Sequence, residues 1–379
     1  MSAKQPVILQ YFAAMDAKKA SDLYLTVGFP PTMRVEDKLE AIRKEPLTPD
    51  EVNDMLGSVL TTRQRREFEV KMELNTALDI GKYGRYRVNA LRQRQFPALV
   101  IRRIISKIPT FSELRLPVLL EKLSVEKRGL ILVTGMTGSG KSTTLASMVD
   151  FRNAHSEGHI ITIEDPIEYF HEHKKSAITQ REVGVDTESY AVALKNALRQ
   201  RPDVILVGEI RDREVMEQAL MAAETGHLCL ATIHTNNAYQ SIERVVNMFP
   251  EEYHTQVRLN LSSNLKAIIS QRLVSSAQGG VTMAIEILLN QGLVRELIQT
   301  GEIGKIRDVM AQNNQLGMCS FDQSLYWLFR EGKITEETAL TQADQPGDLK
   351  IKIQQYKLGG VGRGESLNKL DTSLLSISD

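Results

Sequence analysis

The stretch from Leu130 to Asn153 limits what this chain can fold into more than any other. Leu130-Ile131-Leu132-Val133-Thr134 is an almost uninterrupted apolar run, the pattern of a strand covered on both faces. It leads straight into Gly135-Met136-Thr137-Gly138-Ser139-Gly140-Lys141-Ser142, and then into a helical pattern that lasts to about Asn153. Strand, glycine-rich loop and helix in that order make one βα unit of an α/β sheet. The loop reads Gly-x4-Gly-Lys-Ser. Its glycines let backbone N–H groups curl around phosphate oxygens, and the helix that follows adds its positive end. Lys141 sets a point charge between phosphates, and Ser142 offers a hydroxyl to Mg²⁺. Gly135, Thr137, Gly138, Ser139, Gly140, Lys141, Ser142 and Thr143 are therefore the residues expected to hold ATP. At ordinary residue frequencies a chance match in this length is on the order of 1–2%.

From about residue 128 apolar strands alternate with amphipathic helices, the texture of a parallel sheet with helical crossovers. Strands are expected near 130–134, 159–163, 204–207 and 228–232. Gln271 to Ser275 and Val281 to Leu289, joined through Gly279-Gly280, read as a hairpin. Residues 121–290 form the expected core, and 291–358 read as mostly helical. The last stretch, 359–379, has glycine clusters and few large apolar groups, so it reads as a disordered tail.

Residues 1–105 read as a separate mixed α/β module, followed by a linker over 106–120. Val7 to Ala17 has helical spacing, and Ser21 to Val27 alternates like a strand. Thr48-Pro49-Asp50-Glu51 predicts a helix start, with Thr48 as N-cap, Pro49 at the first position and Glu51 closing a capping box. Thr76 to Ile80 and Arg85 to Leu91 predict a hairpin through Gly81-Lys82-Tyr83-Gly84. Val100 to Ile105 predicts one further strand. With 379 residues, at roughly 150 per domain, two or three domains are expected.

Ligands of open α/β sheets sit at the carboxyl ends of the strands, so the residues just past the other strands matter. Ile160 to Ile163 ends in Glu164-Asp165-Pro166, Val204 to Val207 in Gly208-Glu209, and Leu228 to Ile233 in His234. One of the two glutamates should activate the attacking water and the other support Mg²⁺ through its water shell. We read Glu164 as the base and Glu209 as the metal-side carboxylate, with the reverse assignment open. Asp165 fixes the turn before Pro166. His234 stands at the ligand end and reads as a γ-phosphate sensor. His227 lies at the other end of the strand, roughly 23 Å away, and reads as structural or interfacial. Positive charge for the transition state could come from Arg85 and Arg87, which share a strand face, or from Arg211 and Arg213. A solvated basic hairpin is the plain alternative for Arg85 and Arg87.

Lys+Arg and Asp+Glu number 47 each, which gives no nucleic-acid track and no strongly acidic or basic partner surface. Two distant cysteines, Cys229 and Cys319, make neither a disulfide framework nor a CxxC metal site. No apolar run approaches the ~20 residues of a membrane span, and the N-terminus lacks the pattern of a signal peptide. A cytoplasmic protein is expected.

Longer segments carry a resemblance. Ile161-Thr162-Ile163-Glu164-Asp165-Pro166-Ile167-Glu168-Tyr169 resembles the Asp box of the secretion-superfamily ATPases. Pro202 to Asp212 resembles their Walker B segment, and Glu224 to Thr235 their His box. The likeness runs over roughly 1–355. Ser21-Asp22-Leu23-Tyr24-Leu25 and Phe321-Asp322-Gln323-Ser324-Leu325-Tyr326 resemble the type IV pilus retraction ATPases, the PilT/PilU group. The extension and type II secretion ATPases carry a four-cysteine zinc module that two cysteines cannot build. Three features lean to the PilU branch: Gly158 to Glu164 together with Thr179 to Thr187, the tail, and the segment Gly292 to Glu302 where PilT carries Ala-Ile-Arg-Asn-Leu-Ile-Arg-Glu.

The resemblance implies an N-terminal PAS-like α+β domain and a C-terminal RecA-like P-loop domain with a helical extension. It implies a homo-hexameric ring and a role for Arg85 and Arg87 at the nucleotide. Implied partners are a PilT-like ATPase, the inner-membrane platform protein PilC and, indirectly, the pilin machinery, without direct nucleic-acid binding. The process implied is pilus retraction, which serves twitching motility and DNA uptake, from a peripheral position at the inner membrane. The chain could be a motor in its own right or an accessory, force-boosting ring subunit. A DNA-translocating ring is a further alternative, disfavoured by the balanced charge.

Overall fold

The computed structural model describes residues 7–36, 38–104, 107–312 and 317–358. Of these, the residues up to 104 with Lys107 and Glu168–Phe170 form one compact unit, and the other described residues form a second. The expected tail over 359–379 and the last residue of the strand expected to end at Ile105 lie outside the described residues.

The first unit contains α1 (Val7–Ala17), β1 (Asp22–Thr26), β2 (Thr32–Val35), β3 (Lys38–Ala41), α2 (Pro49–Val59), α3 (Thr62–Lys71), β4 (Glu73–Asp79), β5 (Arg85–Gln93) and β6 (Phe96–Ile104). Its strands form one antiparallel sheet in the order β3-β2-β1-β6-β5-β4. Alternation along β5 buries Tyr86, Val88 and Ala90, and Tyr86 meets Phe12 of α1 at a ring separation of 4.5 Å. The Thr48 cap forms as expected. Its hydroxyl accepts from Glu51 N, and the Glu51 carboxylate accepts from Thr48 N at 2.8 Å.

Three features of this unit differ from the sequence reading. Helix α3 was not foreseen, because Thr-Arg-Gln-Arg-Arg-Glu-Phe-Glu-Val-Lys buries only Phe68 and shows no apolar stripe. Strands β2 and β3 are short, and β3 is a largely exposed edge with little alternation to read. Strand β6 starts at Phe96, four residues earlier than expected. Pro97 masked that start, yet it sits opposite Arg92 beside the hairpin turn, where one missing N–H costs little.

The second unit contains α4 (Leu119–Ser124), β7 (Gly129–Thr134), α5 (Lys141–His155), β8 (Gly158–Glu164), β9 (Ser176–Glu182), α6 (Tyr190–Ala197), β10 (Val204–Val207), α7 (Arg213–Glu224), β11 (Leu228–Ile233), α8 (Ala238–Asn247), α9 (His254–Asn264), β12 (Leu265–Ser275) and β13 (Val281–Leu289). Helices α10 (Leu293–Thr300), α11 (Ile306–Gln312), α12 (Phe321–Arg330), α13 (Glu336–Gln342) and α14 (Pro346–Lys357) follow. The sheet runs β13-β12-β7-β11-β10-β8-β9, parallel except for β13. The chain is thus a mixed α/β protein, with an N-terminal sheet unit and a C-terminal α/β unit that ends in helices.

All residues of β7, β10 and β11 are buried, which is why each reads as a continuous apolar run. Strand β9 escaped the sequence reading because it is an edge strand, Ser-Ala-Ile-Thr-Gln-Arg-Glu, with mixed burial. Strand β12 begins at Leu265, six residues before the expected start, because α9 runs into it without a turn. The stretch expected as a linker contributes Phe111, Leu116, Leu119 and Leu120 to the main core, and Ser147 Oγ donates to Pro109 O at 2.7 Å. Helices α12 to α14 build a small core of their own around Phe321, Leu325, Leu349 and Ile353, joined to the sheet by Val274 and Ala284.

Candidate functional site: the P-loop and the carboxyl edge of the sheet

Strand β7 delivers the glycine-rich loop to the carboxyl edge of the second sheet. Gly135 has φ +145°, and a Cβ there would collide with the Gln271 carbonyl oxygen and with Ser139 Oγ. Only glycine fits that position. Gly138 and Gly140 also have positive φ, +79° and +90°, so the backbone curls where the phosphate reading requires it. Gly140 precedes α5 as a left-handed N-cap with no side-chain cap bond. Helices α6, α7 and α8 are capped by Ser189, Asp212 and Asn237. The N-terminus of α5 therefore lacks the side-chain oxygen that its neighbours have, which suits an external anion.

Lys141 is 8% exposed, and its ammonium donates to Gly135 O and Met136 O, each at 3.0 Å. Ser142 and Thr143 lie half-buried in the first turn of α5. Thr137 is exposed at the loop's tip. Ser139 Oγ and Gln271 Oε1 are buried and find no hydrogen-bond partner among the described residues, and both residues line a cleft of about 570 Å³ beside the loop. Such unpaired buried polar atoms cost free energy unless a ligand meets them. The cradle thus fits a nucleotide's phosphates on geometry as well as on pattern.

The other strand ends form two groups. Glu209, past β10, takes a two-pronged pair from Arg211, with Nε at 2.8 Å and Nη2 at 2.7 Å from Oε2. His234, past the adjacent β11, places Nε2 3.1 Å from Glu209 Oε1. Asp165 lies at the edge of this cluster, 3.9 Å from Arg211 Nη1. Glu164 is held by its own sheet. Thr162 Oγ1 donates to its Oε1 at 2.6 Å, and Gln180 Nε2 reaches the same atom at 3.4 Å. The ends of β8 and β10 are packed tightly, since a Cβ on Gly208 would lie 3.0 Å from the Tyr190 hydroxyl and 3.2 Å from Glu164 Cα.

Tyr190 was not foreseen. Burial raises its hydroxyl well above the ordinary phenol range, and the charges of Asp165, Arg211, Glu164 and Glu209 surround it. No sequence signal marks it, because it is simply the first residue of α6. Gln271 was also missed as a site residue, because it lies within β12 and nothing near it in sequence says that this strand pairs with β7.

The remaining candidates have partners of their own. Arg85 and Arg87 share one face of β5 in the first unit, as alternation demands. Arg85 pairs with Asp79 at 2.9 Å and lies over the Phe170 ring. Arg213 lies over the rings of Phe249 and Tyr253, which explains it as a packing residue. His227 bonds through Nδ1 to Ala222 O at 3.0 Å and to Thr225 Oγ1 at 3.1 Å, closing the turn between α7 and β11.

Comparison with known proteins shows the family. Residues 74–316 match the family model described as Type II/IV secretion system protein. The chain is 48% identical to the Type IV pilus ATPase PilU of Pseudomonas aeruginosa, over 96% of this chain and 95% of that one. It is 42% identical to the same organism's retraction ATPase PilT, over 88% of this chain and 97% of that one. A crystal structure of the pilus retraction motor PilT with bound ADP superposes with a TM-score of 0.86 at 42% identity, covering 91% of this chain and 99% of that chain.

Proposed function

We infer the function from one premise: this chain belongs to the Type II/IV secretion system protein family, and within it to the type IV pilus retraction ATPases. It is an ATPase of the pilus machinery that uses nucleotide. The finer reading is a Mg-ATP-driven hexameric motor that powers or assists pilus retraction, working with a PilT-like ATPase and the platform protein PilC. On this reading it is cytoplasmic and peripheral to the inner membrane. No helix among the described residues is long and apolar enough to cross a membrane, which supports attachment through partners. The proposed division is a PAS-like domain over 1–105, a linker over 106–120, a RecA-like core over 121–290 and a helical region over 291–358.

The observation that carries the reading is the loop itself: glycines where only glycine fits, an uncapped helix, and Lys141 poised over the loop carbonyls. In the proposed mechanism, backbone N–H groups of Gly138 to Thr143 bind the β- and γ-phosphates, and Lys141 leaves the carbonyls to lie between them. Ser142, and Glu209 through water, would hold Mg²⁺, which neutralises charge on the phosphates. One hydroxyl and a water-bridged carboxylate suit an ion that keeps waters and phosphate oxygens in its shell. Glu164, held facing the rim by Thr162, accepts the proton of the attacking water. His234 and Arg211 orient Glu209, and His234 reads the γ-phosphate. Arg85 and Arg87 supply positive charge to the transition state.

Lys141→Ala tests the reading. Phosphate release should fall to background, and cells carrying the variant should lose this protein's contribution to pilus retraction. If retraction persists at the wild-type rate while hydrolysis is gone, the protein acts as an accessory ring subunit and not as a motor. The replaced helix at 292–302 is the feature that favours this second reading.

A further inference from the structure

Besides the apolar packing of Val274 and Ala284, one charged side chain ties the second sheet to the C-terminal helices beside the P-loop. Strand β12 pairs with β7, and Ser270 stands opposite Thr134, the last residue before the loop. The next residue, Gln271, is fully buried and donates to Thr144 Oγ1 of α5 at 2.6 Å. Strand alternation then sends Arg272 the other way, toward the C-terminal helices.

The Arg272 guanidinium makes four attachments. It lies 3.8 Å from the centre of the Phe321 ring, at the start of α12. Nη1 donates to Gln342 O at 2.8 Å. Nη2 reaches Asn236 O at 3.3 Å and pairs with Asp344 Oδ1 at 2.8 Å. The two charged side chains are only 20% and 25% exposed, so solvent screens the pair less than a surface one. A planar fork with five donors suits this task, and a lysine cannot reproduce it. The receiving turn is already shaped, because Asp322 accepts from the backbone N–H groups of Asp344 and Gln345 at 2.7 and 3.0 Å.

The turn that Arg272 holds is a wall of the nucleotide cleft. The P-loop from Gly135 to Ser139 lines one side of that space, and residues 341–344 line another. We propose that Arg272 is a positioning residue for nucleotide binding, latching the C-terminal helices as the outer wall of the P-loop cleft so that nucleotide occupancy and the placement of residues 342–345 are coupled. The proposal rests on the ATP reading of the P-loop and adds the cis element that closes the site. It also gives the helical region a route by which hydrolysis moves it: displacement of β12 beside the loop is carried by one guanidinium to α12 and to the turn that follows α13.

The test uses the full chain, a fluorescent ADP analogue and amide hydrogen exchange with and without ADP. In the wild type, ADP should slow exchange at Asp344 and Gln345. Arg272→Ala should weaken ADP binding about tenfold and abolish that ADP-dependent slowing, and Arg272→Lys should restore only part of each. An Arg272→Ala protein that melts earlier but binds ADP and protects these amides as the wild type does would overturn the proposal, since a merely structural arginine behaves that way. Should Arg272→Ala not fold, Asp344→Ala carries the same two measurements, and unchanged ADP affinity there is equally fatal. Lys141→Ala separates the two layers of argument. If it leaves ADP binding intact, the P-loop reading fails. If it abolishes binding while Arg272→Ala does not weaken it, only the latch fails.

Discussion

The P-loop and the Glu209 cluster lie on the same edge of one sheet, yet they are held by opposite means. The loop is fixed by backbone: positive φ at three glycines, a position at Gly135 with no room for a methyl group, and a lysine that is 8% exposed. The cluster is fixed by side chains, chiefly the Glu209–Arg211 pair, in which the arginine is 60% exposed. A backbone cradle offers donors that need no reorganisation when a phosphate arrives, whereas a partly solvated ion pair exchanges partners at little cost. The difference suggests a division of labour, with the loop holding nucleotide and the cluster rearranging as the γ-phosphate comes and goes.

The largest effect should follow from breaking the rigid side. Gly135→Ala adds a Cβ at φ +145° against Gln271 O and Ser139 Oγ. It should abolish nucleotide binding, read by titration, and lower stability by about 2–4 kcal/mol, read by denaturant unfolding. Next come the carboxylates. Glu164→Gln should lower kcat by about 10²–10⁴ with KM for ATP little changed, and Glu209→Gln should chiefly raise the Mg²⁺ concentration needed for turnover. If the two phenotypes are exchanged in steady-state assays, so are the two roles.

A buried acid on the same sheet sharpens the contrast. Glu286 is fully desolvated on β13, and burial pushes its carboxyl up to about 7, although Ala238 N donates to it at 2.6 Å. Because its folded pKa exceeds the ordinary 4.5, its protonated form favours the fold. That stability is complete below about pH 4.5 and is lost as pH rises through about 7. The size is on the order of 3 kcal/mol. Glu286→Gln should flatten the dependence of Tm on pH across that window. The smallest effect belongs to the flexible side, where Arg211→Ala should change unfolding free energy by less than about 1 kcal/mol while slowing turnover. A large loss of stability there would show the cluster to be a structural strut and not a mobile one.

Much of this was legible in the residues. Runs such as Val204 to Val207 and Leu228 to Ile233 announce strands because both of their faces are covered, and the ionisable residue that follows each run lies at the edge we propose for the ligand. The capping box at Thr48 is local chemistry and needs no tertiary context. Strand β9 and helix α3 were illegible for the converse reason. An edge strand and a helix that buries only Phe68 carry too few apolar residues to show a period. Tyr190 and Gln271 were hidden because nothing near them in sequence says which strand end they will face.

The sequence by itself determined the glycine-rich loop that we propose as the phosphate cradle, because such a loop between a buried strand and a helix is a short-range device whose shape follows from local backbone geometry. Tertiary structure alone decided the rest of the site. Glu209 meets His234 because β10 and β11 are neighbours in the sheet, and Arg272 reaches Asp344, 72 positions further along the chain. Those partnerships depend on strand order and on the packing of the last three helices, which no local run of residues records.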